Sequence, residues 1–188
     1  MITLYVIRHG QTEWNTEGRM QGHTNVQLNQ TGHEQAKIAA EELKDITFDI
    51  IISSPLDRAI DTAKHINAFK NVPIIINDKL IERSFGDLEG KTSADLSNIN
   101  FSIMELLDYY KNYNKYNVET MKDLFIRMEE FIENLKKDYH DENKTILIST
   151  HNGIAQVLDV ILNKLPKTTN LLDVSFKNCE YRRYLIND

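Results

Sequence analysis

The sequence predicts an α/β fold, in which a mainly parallel central sheet is flanked by helices on both faces. Apolar, β-rich runs alternate with segments of helical period along all 188 residues, which is the pattern of βα units. The first run, residues 2–8, is apolar almost without interruption, as expected of a strand buried on both faces of a parallel sheet. No stretch resembles a linker, so we expect one domain over residues 1–188.

The first half of the chain has clear element boundaries. A capping-box pattern at Thr31–Glu34 predicts the start of the first long helix. A second strand is expected over 48–53 and a helix over Pro55–Phe69, because Ser54 offers a capping hydroxyl and proline stands at the first helical position. A short third strand over 73–77 completes this half.

The second half opens with a polar, tyrosine-rich stretch, 92–117, for which we expect two short helices and a lid-like role. An amphipathic helix follows over 118–139. An edge strand near 174–176 would offer a pairing surface, so a homodimer is one expectation. The remaining predicted elements are a strand, a helix and two closing strands, over 144–149, 153–163, 172–177 and 180–186.

Composition excludes several classes of protein. The 22 Lys and Arg residues against 28 Asp and Glu residues give a net charge of −6, which argues against nucleic-acid or anionic-membrane partners. No apolar run approaches the roughly 20 residues of a membrane helix. The one cysteine, Cys179, cannot form an internal disulfide, and no signal-like segment precedes the first strand, so we expect a cytoplasmic protein.

Reactive side chains follow four of the predicted strands. Ligands of open parallel sheets bind outside the carboxyl ends of the strands. We therefore expect the residues at those ends to share one cleft. They are Arg8 and His9 after the first strand, Arg58 after the second, Glu82 after the third and His151 after the fourth.

This set of side chains suits a phosphoryl group. The guanidinium forks of Arg8 and Arg58 match phosphate oxygens two at a time. A neutral imidazole can attack phosphorus, so one of the two histidines can be the nucleophile while the other donates. Glu82 is the carboxyl group available to protonate a leaving alkoxide, a role favoured by burial and opposed by the arginines. An activity optimum below neutral pH would be its signature.

Each candidate also has a purely structural interpretation. Arg8 and His9 could form a strand-end ion pair, and Arg58 could be a surface arginine on a helix. Glu82 could pair with Arg83, and His151 could be a buried structural imidazole. The other histidines show no paired metal-ligand spacing, so we expect no metal site among them; they are His23, His33, His65 and His140.

The segments around these residues resemble the histidine phosphatase superfamily, in its phosphoglycerate mutase-like branch. The resemblance begins with LYVIRHGQTEWN, which contains the Arg-His-Gly tripeptide of that branch. Further blocks occur in the family's order and together cover well over half of the chain. They lie at Gly18–Ala36, Ser53–Ala63, Leu80–Gly90 and Ser149–Gly153.

The resemblance implies a phosphoglycerate mutase-like fold and a role for each matching residue. His9 would be the nucleophile that becomes phosphorylated, and Glu82 would be the proton donor. Members of the family need no metal ion, and we expect no cofactor for this chain. Asn152 stands where many relatives have glycine, which comes here at Gly153, so we expect a modest change in loop shape. The residues expected to contact the substrate are Arg8, Asn15, Gln21, Arg58, His151 and Asn152.

The family contains both phosphatases and mutases. A mutase needs a second cationic clamp, whereas the 92–117 stretch carries only Lys111 and Lys115 as cations. We therefore expect water as the acceptor and a small phosphomonoester as the substrate. A phosphoglycerate mutase and a catalytically inactive binding or regulatory module are the alternatives. Four tyrosines of this stretch could line a pocket or pack a short lid, and packing is favoured; they are Tyr109, Tyr110, Tyr113 and Tyr116.

Overall fold

The computed structural model describes residues 1–99, 102–111, 116–140 and 142–186. Within these ranges the strands form one sheet in the order β3-β2-β4-β1-β5. β1 to β4 are parallel, and β5 pairs antiparallel with β1 at one edge. This confirms the predicted fold class. The strands are β1 (Ile2–Arg8), β2 (Ile50–Ser53), β3 (Ile74–Ile76), β4 (Lys144–Thr150) and β5 (Tyr181–Ile186).

The helices of the described ranges cover both faces of the sheet. On β1, Ile2, Leu4 and Val6 face one core, shared with α6 and α7. Tyr5 and Ile7 face a second core, shared with α2 and α3. This alternation is the period-2 pattern of a strand that is buried on both faces. The helices are α1 (Glu13–Thr16), α2 (Gln30–Glu42), α3 (Asp57–Asn67), α4 (Ser93–Asn98), α5 (Ile103–Leu106), α6 (Met121–Asp138) and α7 (Asn152–Leu162).

The connections around β1 and β4 leave in opposite directions. The first long helix after β1, α2, packs on one face of the sheet, and the helix after β4, α7, packs on the other. Adjacent parallel strands whose helices diverge in this way leave a crevice beyond their carboxyl ends, where α/β proteins bind ligands. The strand order therefore puts the ends of β1 and β4 beside a ready-made crevice.

Several helices begin at residues other than those predicted; α6, for example, begins at Met121 and not at 118. The cap of α2 is Asn29, whose side chain accepts a hydrogen bond from the Gly32 amide at 2.8 Å, so the predicted cap Thr31 lies inside the helix. Helix α3 begins at Asp57 because the Ser54 hydroxyl accepts from the Leu56 amide and holds a turn before the helix. Several residue types can cap a helix, and local pattern alone did not choose between them.

The predicted strand 172–177 is wrong. Residues Leu171–Val174 form a 3₁₀ turn, and the Phe176 amide donates to the Asn152 side chain at 2.9 Å. The edge of β1 that such a strand could have used is occupied by β5. The expected pairing surface for a second copy near 174–176 is therefore wrong as well.

The 92–117 stretch contains two short helices in its described part, α4 and α5, as predicted. Leu88, Leu96, Leu106 and Val118 form a small apolar cluster that is separate from the two main cores. Residues 100–101 and 112–115, which include Tyr113 and Lys115, lie outside the described residues. Throughout the described ranges, no helix combines the length and apolar character needed to cross a membrane.

Candidate active site

The structure brings the residues predicted at the strand ends to one place. A cavity of about 250 Å³ opens at the carboxyl ends of the strands. His151 does not line the cavity, but its ring centroid lies 5.2 Å from that of His9, which does. The cavity lining includes Arg8, His9, Asn15, Gln21, Arg58, Glu82 and Asn152.

His9 is a buried and neutral imidazole. Its Nδ1–H donates to the Gly10 carbonyl oxygen at 2.6 Å, which leaves Nε2 unprotonated. Burial lowers the pKa of His9 well below its ordinary value of 6.5, and the positive charges of Arg58 and Arg8 lower it further. The ring therefore has a lone pair on Nε2 at neutral pH, which is the form required of a nucleophile.

Gly10 is held tightly behind this ring. Its amide donates to the Thr62 hydroxyl at 3.1 Å, and that hydroxyl donates to the Arg58 carbonyl at 2.8 Å. A Cβ atom at Gly10 would lie 2.4 Å from the Gly32 carbonyl oxygen, so no larger residue fits there. Thr62 was not predicted as a site residue, although its position one turn after Arg58 on the same helix was the available signal.

Arg58 is fully buried, so its interpretation as a surface arginine is wrong. Its two terminal nitrogens donate to the carbonyl oxygens of Thr24 and Gly22, both at 2.8 Å, and its Nε–H donates to His151 Nδ1 at 3.2 Å. Burial lowers the pKa of Arg58 to about 10, so the side chain stays charged at neutral pH. A fixed positive charge thus lies beside the His9 ring.

Both ring nitrogens of His151 are engaged. Nδ1 accepts from Arg58, so in the neutral ring Nε2 carries the proton and donates to the Ser54 hydroxyl at 2.6 Å. Burial, followed by the charge of Arg58, lowers the pKa of His151 well below 6.5. His151 is therefore a buried imidazole, as its structural interpretation predicts, and it also lies next to His9. Ser54, read from sequence only as a helix cap, is its partner.

Two buried polar atoms in the cavity wall lack a protein partner within the described part of the chain: Arg8 Nε and Gln21 Oε1. Another nitrogen of the Arg8 side chain, a terminal one, donates a hydrogen bond to the Phe176 carbonyl oxygen at 2.6 Å. Leaving a buried polar group unpaired costs about 1–3 kcal/mol. A bound anion would remove this cost at Arg8, so the cavity wall is better satisfied when it is occupied.

Glu82 lines the cavity and contacts the first turn of α7. Its carboxylate oxygens accept from the amides of Arg83 at 2.9 Å and Gly153 at 3.3 Å. A Cβ atom at position 153 would lie 2.6 Å from Glu82 Oε1, so glycine at this position allows the carboxylate to approach the helix. The Arg83 guanidinium group donates instead to the carbonyl oxygens of Glu119 and Leu106.

The two asparagines of the predicted site use their side-chain oxygens for structure. Asn15 Oδ1 accepts from the Thr12 amide at 3.1 Å and from Asn178 Nδ2 at 3.2 Å. Asn152 Oδ1 accepts from the Phe176 amide. Both residues also line the cavity, and in each the amide nitrogen is the half of the side chain that these bonds do not use.

The rest of the cavity lining was not anticipated from the sequence. None of the described tyrosines of the 92–117 stretch lines the cavity; Tyr109 packs on Phe125 with ring centroids 5.5 Å apart, as the packing interpretation predicts. This part of the lining is mainly apolar, with two arginines and a glutamine. Besides Gly22 and Gly153, it consists of Arg19, Met20, Arg83, Phe85, Leu107, Met121, Leu124, Gln156, Leu171 and Leu172.

The remaining histidines lie apart from the cavity lining. His33 Nδ1 and His65 Nε2 are 3.0 Å apart and form one contact between α2 and α3. His23 contacts the Glu82 carbonyl oxygen through Nε2. Over the described ranges, no group of three or more histidine, cysteine or acidic side chains has the arrangement of a metal site.

The buried histidines predict acid sensitivity. In the unfolded chain His9 and His151 regain an ordinary pKa near 6.5, whereas the folded rings stay neutral below that pH. The unfolded state then binds more protons, so the free energy of unfolding falls as the pH drops below 6.5, by up to about 1.4 kcal/mol per pH unit for each ring. Urea unfolding at about pH 7.5 and about pH 5 should show this loss, and His9→Gln should reduce it. An equal loss in the variant would contradict the assignment.

A neutral imidazole under the influence of two guanidinium charges, at the switch point of a parallel sheet, defines an enzyme that handles phosphoryl groups. The chain belongs to the histidine phosphatase superfamily (branch 1), whose family model matches residues 4–188. Its relatives include the uncharacterized phosphatase PhoE of Bacillus subtilis, 35% identical over 187 residues, with 96% of this chain and 89% of that protein covered.

Two further comparisons bear on the type of activity. A 2,3-bisphosphoglycerate-dependent phosphoglycerate mutase of Cytophaga hutchinsonii is 29% identical over 169 residues, covering 88% of this chain and 79% of the mutase. The solved structure of a mycobacterial glucosyl-3-phosphoglycerate phosphatase superposes with a TM-score of 0.85 at 25% identity, covering 96% of this chain and 88% of that one. The phosphatase relatives make this chain a phosphoric monoester hydrolase.

Proposed function

We propose that the protein is a metal-independent phosphomonoesterase that hydrolyses small phosphate monoesters through a phosphohistidine at His9. The observation that carries the proposal is the fixed tautomer of His9: the Gly10 carbonyl holds the proton on Nδ1, and the Nε2 lone pair belongs to a ring flanked by Arg8 and Arg58. The positive charge of these two arginines stabilises the phosphoryl oxygens as negative charge shifts onto them.

The reaction takes two steps. His9 Nε2 attacks phosphorus, the bond to the ester oxygen breaks, and that oxygen leaves with a proton from Glu82. A water molecule then attacks the phosphohistidine, the P–N bond breaks, and the proton of the water passes to Glu82. Phosphate leaves, and both residues return to their starting forms.

In this proposal the phosphoryl oxygens are held by Arg8, Arg58 and His151. Further polar contacts come from Asn15, from Asn152 and from the buried Gln21. The unpartnered Nε of Arg8 supports its part. His151 Nδ1 accepts from Arg58 in the structure, so contact with a phosphoryl oxygen requires a proton on Nδ1. The charge of a phosphate dianion favours that proton.

The apolar part of the cavity lining supports a leaving group with apolar surface. Leu107, Met121 and Leu124 belong to that part, and Arg83 also lines the cavity. We propose that residues 92–117 form a lid-like insert over the cavity within one domain, 1–188. The small cluster around Leu96 and Leu106 supports this because it packs the insert as a unit.

Phosphate release from para-nitrophenyl phosphate in the presence of a metal chelator tests the proposed function. We expect turnover without added metal. A panel of small monoesters measured in the same way would identify the preferred leaving group. Release of phosphate from 3-phosphoglycerate without formation of 2-phosphoglycerate supports hydrolysis, and rapid interconversion of the two, stimulated by bisphosphoglycerate, would show a mutase instead.

The acid role of Glu82 predicts a dependence on the leaving group. Glu82→Gln removes the transferable proton, so we expect kcat/KM for an alkyl phosphate to fall by about 10²–10⁴-fold. The loss of kcat/KM should be much smaller for para-nitrophenyl phosphate, because nitrophenolate leaves without protonation and kcat/KM does not include the later attack of water. Parallel kcat/KM measurements on both substrates check this. An unchanged rate on the alkyl phosphate would remove Glu82 from the mechanism.

A further inference from the structure

A residue outside the family-like blocks links the nucleophile to the phosphate-contacting asparagine. Asn178 lies half-buried in the turn that precedes β5. Its Nδ2 donates to the His9 carbonyl oxygen at 3.0 Å and lies 3.2 Å from Asn15 Oδ1. One side-chain amide thus joins the peptide of His9 to the side chain of Asn15.

Backbone groups determine the orientation of both amides. A carbonyl oxygen can only accept, so the His9 carbonyl requires the nitrogen of Asn178 on its side. A backbone amide can only donate, so Thr12 N–H requires the oxygen of Asn15 on its side. Asn178 Nδ2 therefore donates to Asn15 Oδ1. The Asn15 Nδ2 group is left as the donor for the cavity that this residue lines.

The turn that carries Asn178 is held against the same strand end. The Cys179 amide donates to the Arg8 carbonyl, and the Arg8 amide donates to the Glu180 carbonyl, both at 3.1 Å. Cys179 has a φ of 56°, a left-handed conformation that side chains rarely adopt. Such strain persists where the surroundings over-determine the backbone, and here the result is that Asn178 is aimed at His9 and Asn15.

We propose that Asn178 is a positioning residue of the phosphate subsite: it orients the Asn15 amide so that its N–H groups face the phosphoryl oxygens. This inference rests on the proposed function, because it needs phosphate to bind beside His9. Asn178 acts through Asn15 and does not touch the substrate. Its loss leaves Asn15 Oδ1 with a single donor, Thr12, so that one hydrogen bond instead of two holds the amide in this orientation.

A double-mutant cycle on vanadate binding tests the proposal. Isothermal titration of orthovanadate is carried out with the wild type, Asn178→Ala, Asn15→Ala and the double variant. Because one neutral hydrogen bond is at stake, we expect Asn178→Ala to weaken binding roughly three- to tenfold. In the Asn15→Ala background the same substitution should cost less than about twofold. An equal loss in both backgrounds would overturn the proposal.

Two further variants separate positioning from general destabilisation. Asn67 is a matched control, because its amide also fastens a loop, by two bonds to the Val72 backbone. Asn67→Ala should leave vanadate affinity unchanged. Asn178→Asp keeps the size of the side chain but places an oxygen opposite Asn15 Oδ1, and the cycle is run with it if Asn178→Ala does not fold. Wild-type vanadate affinity in Asn178→Asp would contradict the proposal.

Failure of the proposed function would look different. A wild-type protein that neither binds vanadate nor hydrolyses para-nitrophenyl phosphate would disprove both proposals. A wild type that does both, with no coupling between Asn178 and Asn15, would disprove only the positioning role.

Discussion

Replacing His9 with alanine should abolish hydrolysis. The substitution removes the only group proposed to bond to phosphorus, and a neutral buried water has no comparable nucleophilicity. We expect kcat for para-nitrophenyl phosphate to fall by roughly 10⁴-fold or more, as for the loss of other covalent nucleophiles. Rapid quenching of the wild type should also trap an acid-labile, base-stable phosphoenzyme, as expected of phosphohistidine, that the variant lacks.

The matched control for this loss is His33→Ala. His33 is a half-buried histidine on α2 whose partner is His65, away from the cavity lining. We expect its kcat to stay within about twofold of the wild type, since substitutions away from a site rarely change chemistry. A His9→Ala variant that keeps a tenth of wild-type activity would show that phosphorus is attacked by another group.

Substitution of Arg58 should give the second large effect. Arg58→Lys keeps a positive charge but cannot donate at once to Gly22, Thr24 and His151, as the guanidinium does. We expect kcat/KM to fall by about 10²–10³-fold, the range seen when one oxyanion donor is removed. Two buried carbonyl oxygens also lose their donors, so the free energy of unfolding should fall by about 1–3 kcal/mol.

The control lies on the same helix. Lys64 is exposed on α3, where it pairs with Asp61 at the surface. Lys64→Met should leave kcat/KM within about twofold and stability nearly unchanged, because surface ion pairs contribute about 0–1 kcal/mol. Steady-state kinetics and urea unfolding of both variants check the contrast. A kcat/KM for Arg58→Lys within tenfold of the wild type would contradict the role given to Arg58.

The acidic and basic residues at the strand ends were predictable because their positions follow from local pattern. Apolar runs identify β1, β2 and β4, and a parallel sheet brings the carboxyl ends of its strands to one edge whatever the loops do. Arg8, His9 and His151 therefore had to meet near the cavity. Glu82 follows the short strand β3 and reached the same edge for the same reason.

Local pattern failed where a backbone segment is held by distant side chains. Residues 172–177 have strand-like composition, but Arg182 donates to the carbonyl oxygens of Val174 and Ser175, and Asn152 accepts from the Phe176 amide. These bonds replace the ladder of a strand. No periodicity in the sequence encodes them, because the partners come from α7 and β5.

By itself, the sequence determined the sheet and its flanking helices, the edge of the sheet where the site lies, and the residues with phosphate-binding chemistry. Tertiary structure alone decided how these residues are held: Thr62 behind Gly10, Ser54 on His151, and Asn178 between His9 and Asn15. The reason is physical. Hydrophobic periodicity acts over a few residues and is visible in the chain, whereas a hydrogen bond depends on positions that only the packed fold brings within 3 Å or so of one another.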